Sequence, residues 1–311
     1  MLREIVVARH QGFCMGVKRA IKIAEETARN REPGERVTIL NEIVHNEAVV
    51  EKFRNEGVRQ ALSVDDVPNG TLIISAHGVG PKVIEKAKTK GLKVVDATCP
   101  LVSRIYRIIE RIISRGYHII HLGDPDHDET AGILGHAPSR ISLVADRHEL
   151  LALPDWPDRK LGLTVQTTAH VTVFDETKAL AVEKWPHIKV FDTICEATTD
   201  RQTAVLELTP RVDLVLVVGS RSSANSNRLV NISRDAGGRG HLIGSQNDIR
   251  IEWFGKDENV DKVGVSAGAS TPQFLVEEVI DRLVAISGGT ACVTRLGQRA
   301  DQWSRDTIGK L

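Results

Sequence analysis

The sequence predicts an α/β protein built as three similar small domains in a pseudo-threefold arrangement around a central cluster. Three observations lead there. Short β-branched runs alternate with longer amphipathic patterns along the chain. Cys14, Cys99 and Cys195 stand about a third of the chain apart, each in the order strand, tight loop, helix. After each cysteine come two further strand ends carrying polar residues, so one plan is used three times.

In chain order, a strand over 4–8 leads to Cys14 and a helix beginning near Val17. Strands over 36–40 and 71–74 end at His45 and His77. A strand over 92–95 leads to Cys99 and the helical pattern of Leu101, Val102, Ile105 and Tyr106. Strands over 118–122 and 162–165 end at His127 with Glu129, and at Gln166-Thr167-Thr168. A strand over 188–191 leads to Cys195 and a helix over roughly 199–208. Strands over 213–218 and 263–265 end at Ser222-Ser223-Ala224-Asn225 and at residues 266–271, with Ser270. Boundaries are expected just before each cysteine-bearing strand, giving domains 1–91, 92–187 and 188–285 and a C-terminal tail 286–311. In open α/β sheets ligands bind beyond the carboxyl ends of the strands, so three such ends would bring three thiolates together.

Bulk properties narrow the function. The chain has 311 residues, 41% apolar and 26% charged, as in a soluble globular protein. Its 41 basic and 41 acidic residues cancel, which argues against a nucleic-acid or membrane-surface partner. No apolar run approaches a membrane span, and the N-terminus lacks a signal-peptide h-region, so a cytoplasmic location is expected. There the four cysteines are expected to bind metal, react or be inert rather than pair as disulfides. No CxxC occurs, which disfavours a zinc ribbon or a thioredoxin-type pair.

Three thiolates around one centre suit an iron–sulfur cluster or zinc, and three protein ligands leave a metal position open. Cys292 breaks the repeat and reads as a small buried residue. The polar set looks chosen for an anion. His45 and His77 are donors, charged or neutral near pH 7. Thr167, Thr168, Ser222, Ser223, Asn225 and Ser270 are neutral donors, mostly ahead of helix patterns whose N–H groups favour phosphate or diphosphate. There is no Walker lysine for nucleotide hydrolysis and no GxGxxG after any strand. Glu129 lies in an acidic stretch that reads either as a plain solvated turn or, if enclosed, as a carboxyl with raised pKa able to deliver a proton.

Together these segments resemble the IspH/LytB family of 4-hydroxy-3-methylbut-2-enyl diphosphate reductases. The match is carried by Gly12-Phe13-Cys14-Met15-Gly16-Val17, Glu42-Ile43-Val44-His45-Asn46 and Ser75-Ala76-His77-Gly78-Val79. It continues through Asp96-Ala97-Thr98-Cys99-Pro100, Gln166-Thr167-Thr168, Thr193-Ile194-Cys195 and Arg201-Gln202. Asn225-Ser226-Asn227-Arg228-Leu229 and Ala267-Gly268-Ala269-Ser270-Thr271-Pro272 complete it, so the match spans nearly the whole chain in order.

The resemblance implies a 4Fe-4S cluster on Cys14, Cys99 and Cys195, seen as 3Fe-4S or apo after aerobic handling. One iron would lack a protein ligand and act as a Lewis acid on the substrate's allylic hydroxyl. His45, His77, His127, Ser223, Asn225 and Ser270 would hold the diphosphate, and Thr167 and Glu129 would orient and protonate the departing oxygen. Two electrons from an external donor such as ferredoxin or flavodoxin, with two protons, would give isopentenyl and dimethylallyl diphosphate, the last step of the methylerythritol phosphate route.

Two departures stand out. The family usually has a second Ser before its Asn, where this chain has Ala224, so weaker substrate binding is expected unless Ser222 compensates. Ala169-His170 replaces a common Leu-Ser. Three rivals remain: a three-cysteine cluster lyase of quinolinate-synthase type, a cluster-based redox sensor, and a zinc hydrolase with cysteine ligands.

Overall fold

A computed structural model describes residues 2–255 and 258–297. Three all-parallel sheets carry the fold. The first contains β2 (Val37–Leu40), β3 (Arg59–Ala61), β4 (Thr71–Ile74) and β5 (Lys93–Asp96), ordered β3-β2-β4-β5. The second contains β6 (His118–Leu122), β7 (Ile141–Val144), β8 (Leu161–Val165) and β9 (Lys189–Val190), ordered β7-β6-β8-β9. The third is β11-β10-β12-β1-β13, from β1 (Glu4–Val7), β10 (Leu214–Val218), β11 (Gly240–Ile243), β12 (Lys262–Ala267) and β13 (Cys292–Arg295). Helices cover the sheets: α1 (Met15–Arg29), α2 (Glu47–Asn55), α3 (Pro81–Thr89), α4 (Pro100–Ile113) and α5 (Asp128–His136). The remainder are α6 (Arg147–Ala152), α7 (Val171–Lys184), α8 (Glu196–Leu208), α9 (Ala224–Asp235) and α10 (Gln273–Ile286). Every residue of β2, β4, β6, β8 and β10 is buried, as parallel strands covered on both faces require.

The expected α/β class and three similar units are present, but the chain divides elsewhere than expected. The strand before each cysteine belongs to the preceding unit. Lys93 pairs with Thr71 in the first sheet and Lys189 with Gly162 in the second. Strand β1 pairs with β12 and β13, so it closes the third sheet. The helix after each cysteine packs into the next unit. Val17, Ala20, Ile21 and Ala24 of α1 join the core of the first sheet. Val102, Ile105 and Ile109 of α4 pack with Ile119 and Ile133 in the second. Ala204, Val205 and Leu208 of α8 pack with Val215 and Val217 in the third. The chain therefore crosses between units at Cys14, Cys99 and Cys195 themselves. Backbone pairing of the short strands outweighs the sequence order that places the cut before them.

The expected tail is also partly structured. Residues 292–295 form β13 beside β1, while 298–311 lie outside the described residues. Cys292 is exposed rather than buried, because among the described residues β13 is an edge strand that pairs with β1 alone.

Candidate functional site

The three cysteines occupy N-cap positions, Cys14 on α1, Cys99 on α4 and Cys195 on α8. Their amides repeat one hydrogen bond: Cys14 N to Ala269 O (3.0 Å), Cys99 N to Ala76 O (2.9 Å) and Cys195 N to Thr167 O (3.1 Å). Each acceptor lies in the loop after a central strand, so the threefold plan extends to the cysteine backbone. Val17 N donates to Cys14 Sγ at 3.5 Å, and Cys195 Sγ lies 3.1 Å from Thr198 Oγ1. Helix N-termini favour thiolate, yet burial pushes the Cys99 and Cys195 thiols up, and the charges of Cys14 and Glu129 add to this.

The thiols open on one cavity of about 410 Å³. A Cβ built on Gly16 would stand 2.5 Å from Cys99 Sγ and 3.9 Å from Cys14 Sγ, so these two sulfurs close around one point. The donor set fits an iron–sulfur group: three soft ligands that a bound metal would hold as thiolates.

The same cavity is lined by His45, His77, His127, Glu129, Thr167, Thr168, Ser223, Asn225 and Ser270, so of the anion donors and the carboxyl singled out in the sequence all but Ser222 meet there. His45 and His77 stack with ring centroids 4.1 Å apart, and His127 meets them edge-on at 5.3 and 5.6 Å. Burial holds His77 well below the usual histidine range, helped by the charges of His45 and His127. Burial, then His45, lowers His127 to about 4. His127 Nδ1 accepts from Glu129 N at 3.1 Å, which leaves its proton on Nε2. His45 Nδ1 lies 2.9 Å from Glu42 Oε2.

Glu129 is 2% exposed. The alternative of a plain solvated turn is corrected: the residue lies in the first turn of α5, which faces inward while Asp126 stays in solvent. Thr167 N and Oγ1 donate to its two oxygens at 2.7 and 2.6 Å. Burial raises its pKa to about 7 against the lowering effect of those bonds.

Both polar side-chain atoms of Asn225 are buried without a hydrogen-bond partner, which reads as a group awaiting a ligand. Ser223 caps α9 by accepting from Ser226 N at 3.3 Å, and Ser270 Oγ donates to His45 O at 2.9 Å. Ala224 lines the cavity, but Ser222 does not; its hydroxyl lies 2.8 Å from Ser220 Oγ. The expected compensation is therefore absent from this geometry. His170 caps α7 with Ala169 just before it, and neither lines the cavity.

Sequence reading named Gln166 and Arg201 within its motifs but gave neither a role. Gln166 accepts from Asp124 N at 2.7 Å and donates to Thr168 Oγ1 at 2.8 Å, tying two cavity loops. Arg201 is buried beside two of the thiols. The sequence placed it only in a matching segment, and its burial comes from tertiary packing.

The sequence model for the family described as LytB protein matches residues 5–284. The chain is 38% identical to a 4-hydroxy-3-methylbut-2-enyl diphosphate reductase of Geobacter metallireducens, over 90% of this chain and 96% of that one. It is 39% identical to the protein of that name from Wolbachia pipientis wMel, over 90% and 91%. The solved E-1-hydroxy-2-methyl-but-2-enyl-4-diphosphate reductase of Plasmodium falciparum superposes with a TM-score of 0.90 at 30% identity, covering 98% of this chain and 96% of that one. A second solved structure, of (E)-4-hydroxy-3-methyl-but-2-enyl diphosphate reductase, gives 0.65 at 34% identity, covering 91% and 100%. By the extent of these matches, the chain belongs to the LytB family.

Proposed function

We propose that this chain is a 4-hydroxy-3-methylbut-2-enyl diphosphate reductase that removes the allylic hydroxyl as water, with two electrons and two protons, giving isopentenyl and dimethylallyl diphosphate. The family is one of iron–sulfur enzymes. The observation that carries the reading is the convergence on one cavity of three thiols, a buried carboxyl–threonine pair and an unpartnered amide.

Cys14, Cys99 and Cys195 would hold a 4Fe-4S cluster, which supplies electrons one at a time and a Lewis-acidic iron. Among the described residues, the set whose ligand atoms all lie within 4.8 Å of one another is His45, His77 and Asp128, not the sulfur trio. Sulfur ligands of one tetrahedral zinc, at about 2.3 Å from the metal, stand about 3.8 Å apart. The wider spread favours several irons over a single zinc.

The other residues divide the remaining work. The N-termini of α1, α4, α5, α8 and α9 open on the cavity through their caps, so their N–H groups favour a diphosphate. His45, His77, His127, Ser223, Asn225 and Ser270 surround that anion. Hydroxide is a poor leaving group, so a proton must reach it as the C–O bond breaks. Glu129 in its acid form holds that proton on Oε2, since Thr167 N donates to Oε1; the Thr167 hydroxyl then accepts from Oε2 and passes its own proton on. An external carrier such as ferredoxin or flavodoxin would deliver the electrons. No helix among the described residues is long and apolar enough to cross a membrane. The cysteines are unpaired, and we place the reaction in the cytoplasm.

The test is anaerobic incubation of the iron-loaded chain with the hydroxylated diphosphate and dithionite. The two isoprenoid diphosphates are expected. Dehydration without net reduction would identify a quinolinate-synthase-type lyase, and no turnover by a loaded chain would favour a redox sensor.

A further inference from the structure

Arg201 stands six residues, nearly two turns, beyond Cys195 on α8 and is 5% exposed. Its Nη1 donates to Ala197 O at 2.8 Å within α8. Its Nη2 crosses to the neighbouring cysteine loop and donates to Gly12 O at 2.6 Å, two residues before Cys14. Its Nε is buried without a hydrogen-bond partner, and the side chain lines the thiol cavity. A related reach occurs at the next junction, where Arg19 Nη1 on α1 donates to Thr98 O at 3.0 Å, beside Cys99. That guanidinium is exposed. At the third junction Arg104, in the corresponding part of α4, is exposed as well. Of the three positions, only Arg201 places a positive charge inside the sulfur-lined space.

Burying an arginine costs free energy unless negative charge or hydrogen bonds offset it. Here two donors are satisfied, and the fields of Cys14 and Cys195, with Asp200, favour the cation. Arginine does not lose its proton in proteins, so this charge is permanent. A fixed cation beside a group that gains an electron stabilises the reduced form; net charge and nearby hydrogen bonds set such potentials.

We propose that Arg201 is a positioning residue that clamps the Cys14 loop to the Cys195 helix and raises the reduction potential of the iron–sulfur group those thiols hold. This rests on the reading of the site given above.

The test is an anaerobic spectroelectrochemical titration of the iron-loaded full chain, with folding checked by circular dichroism and iron measured per chain. R201Q should be at least tenfold harder to reduce, a fall of about 59 mV for a one-electron couple. R201K, which keeps the charge, should stay within threefold of the parent. R19Q removes a clamp without a buried charge and should leave the potential unchanged. A folded, loaded R201Q at the parent potential overturns the proposal, as does an equal shift in R19Q or R201K. Where R201Q fails to fold or load, R201K decides: the parent potential upholds the proposal, and a tenfold shift sinks it. A parent chain that binds no iron would instead sink the reading of the site itself.

Discussion

Glu129 keeps its proton in about half of the molecules at neutral pH, where an exposed glutamate would have lost it. Burial raises its pKa to about 7, and Thr167 occupies both its oxygens. Because the acid form is the useful one, the protonated fraction is one half near pH 7, nears completion about a unit below that and falls with rising pH. We expect kcat to be flat on the acid side and to fall toward tenfold per unit above about pH 7. E129Q should slow turnover by about 10²- to 10⁴-fold, keep its iron and lose that basic limb; a persisting limb would assign the proton elsewhere. Ala224 is the second residue to test. It lines the cavity without a hydroxyl, and Ser222 is turned away to Ser220. A hydrogen bond to a charged group contributes about 1.5–3 kcal/mol. A224S is therefore expected to lower KM by roughly tenfold or more, and equal KM values for the two chains would contradict this.

At the scale of elements, each cysteine is positioned by a strand of one unit and a helix of the next. The start of α1 is tight: any side chain at Gly16 would collide with Cys99 Sγ. Overpacking of this kind costs about 1–3 kcal/mol. G16A should keep its helix content while losing most of its iron per chain; full iron content would show that the sulfurs have room to spare. The central strands were legible in the sequence because burial on both faces makes them continuous apolar runs, as in Leu214–Val218. The edge strands outside the cysteine repeat were not. Arg59–Ala61 is short, polar and exposed at two of three positions, so nothing in its composition marks a ladder. The site residues were legible as strand-end polar clusters, whereas the burial of Glu129 and of Arg201 depends on neighbours far away in the chain. The division into units differs from the expected one because the strand before each cysteine pairs away from the helix after it: β5 and β9 join the preceding sheet and β1 joins the last.

At the scale of the whole molecule, the units are tied across the cavity by polar contacts. Arg228 Nη2 donates to both Asp124 oxygens at 2.8 and 2.9 Å, joining the third unit to the second. Asn41 Nδ2 donates to Asp128 Oδ1 at 3.0 Å, joining the first to the second. Ser220 Oγ donates to Glu47 Oε1 at 2.8 Å, joining the third to the first. Asp124 is 44% exposed, so solvent screening limits its ion pair to about 1 kcal/mol. R228Q should raise KM roughly fivefold with iron content unchanged, measured by steady-state kinetics beside iron analysis. Loss of iron in that variant would mean that the tie shapes the sulfur triangle rather than the substrate space.

The most direct test of the account is iron and acid-labile sulfide per chain, measured on anaerobically prepared protein and its four single Cys→Ser variants. The account predicts that C292S matches the parent, while C14S, C99S and C195S each lose the bulk of both elements. Retention of the parent content by all three, or its loss in C292S, would contradict the claim that three cysteine-capped helices hold one common centre.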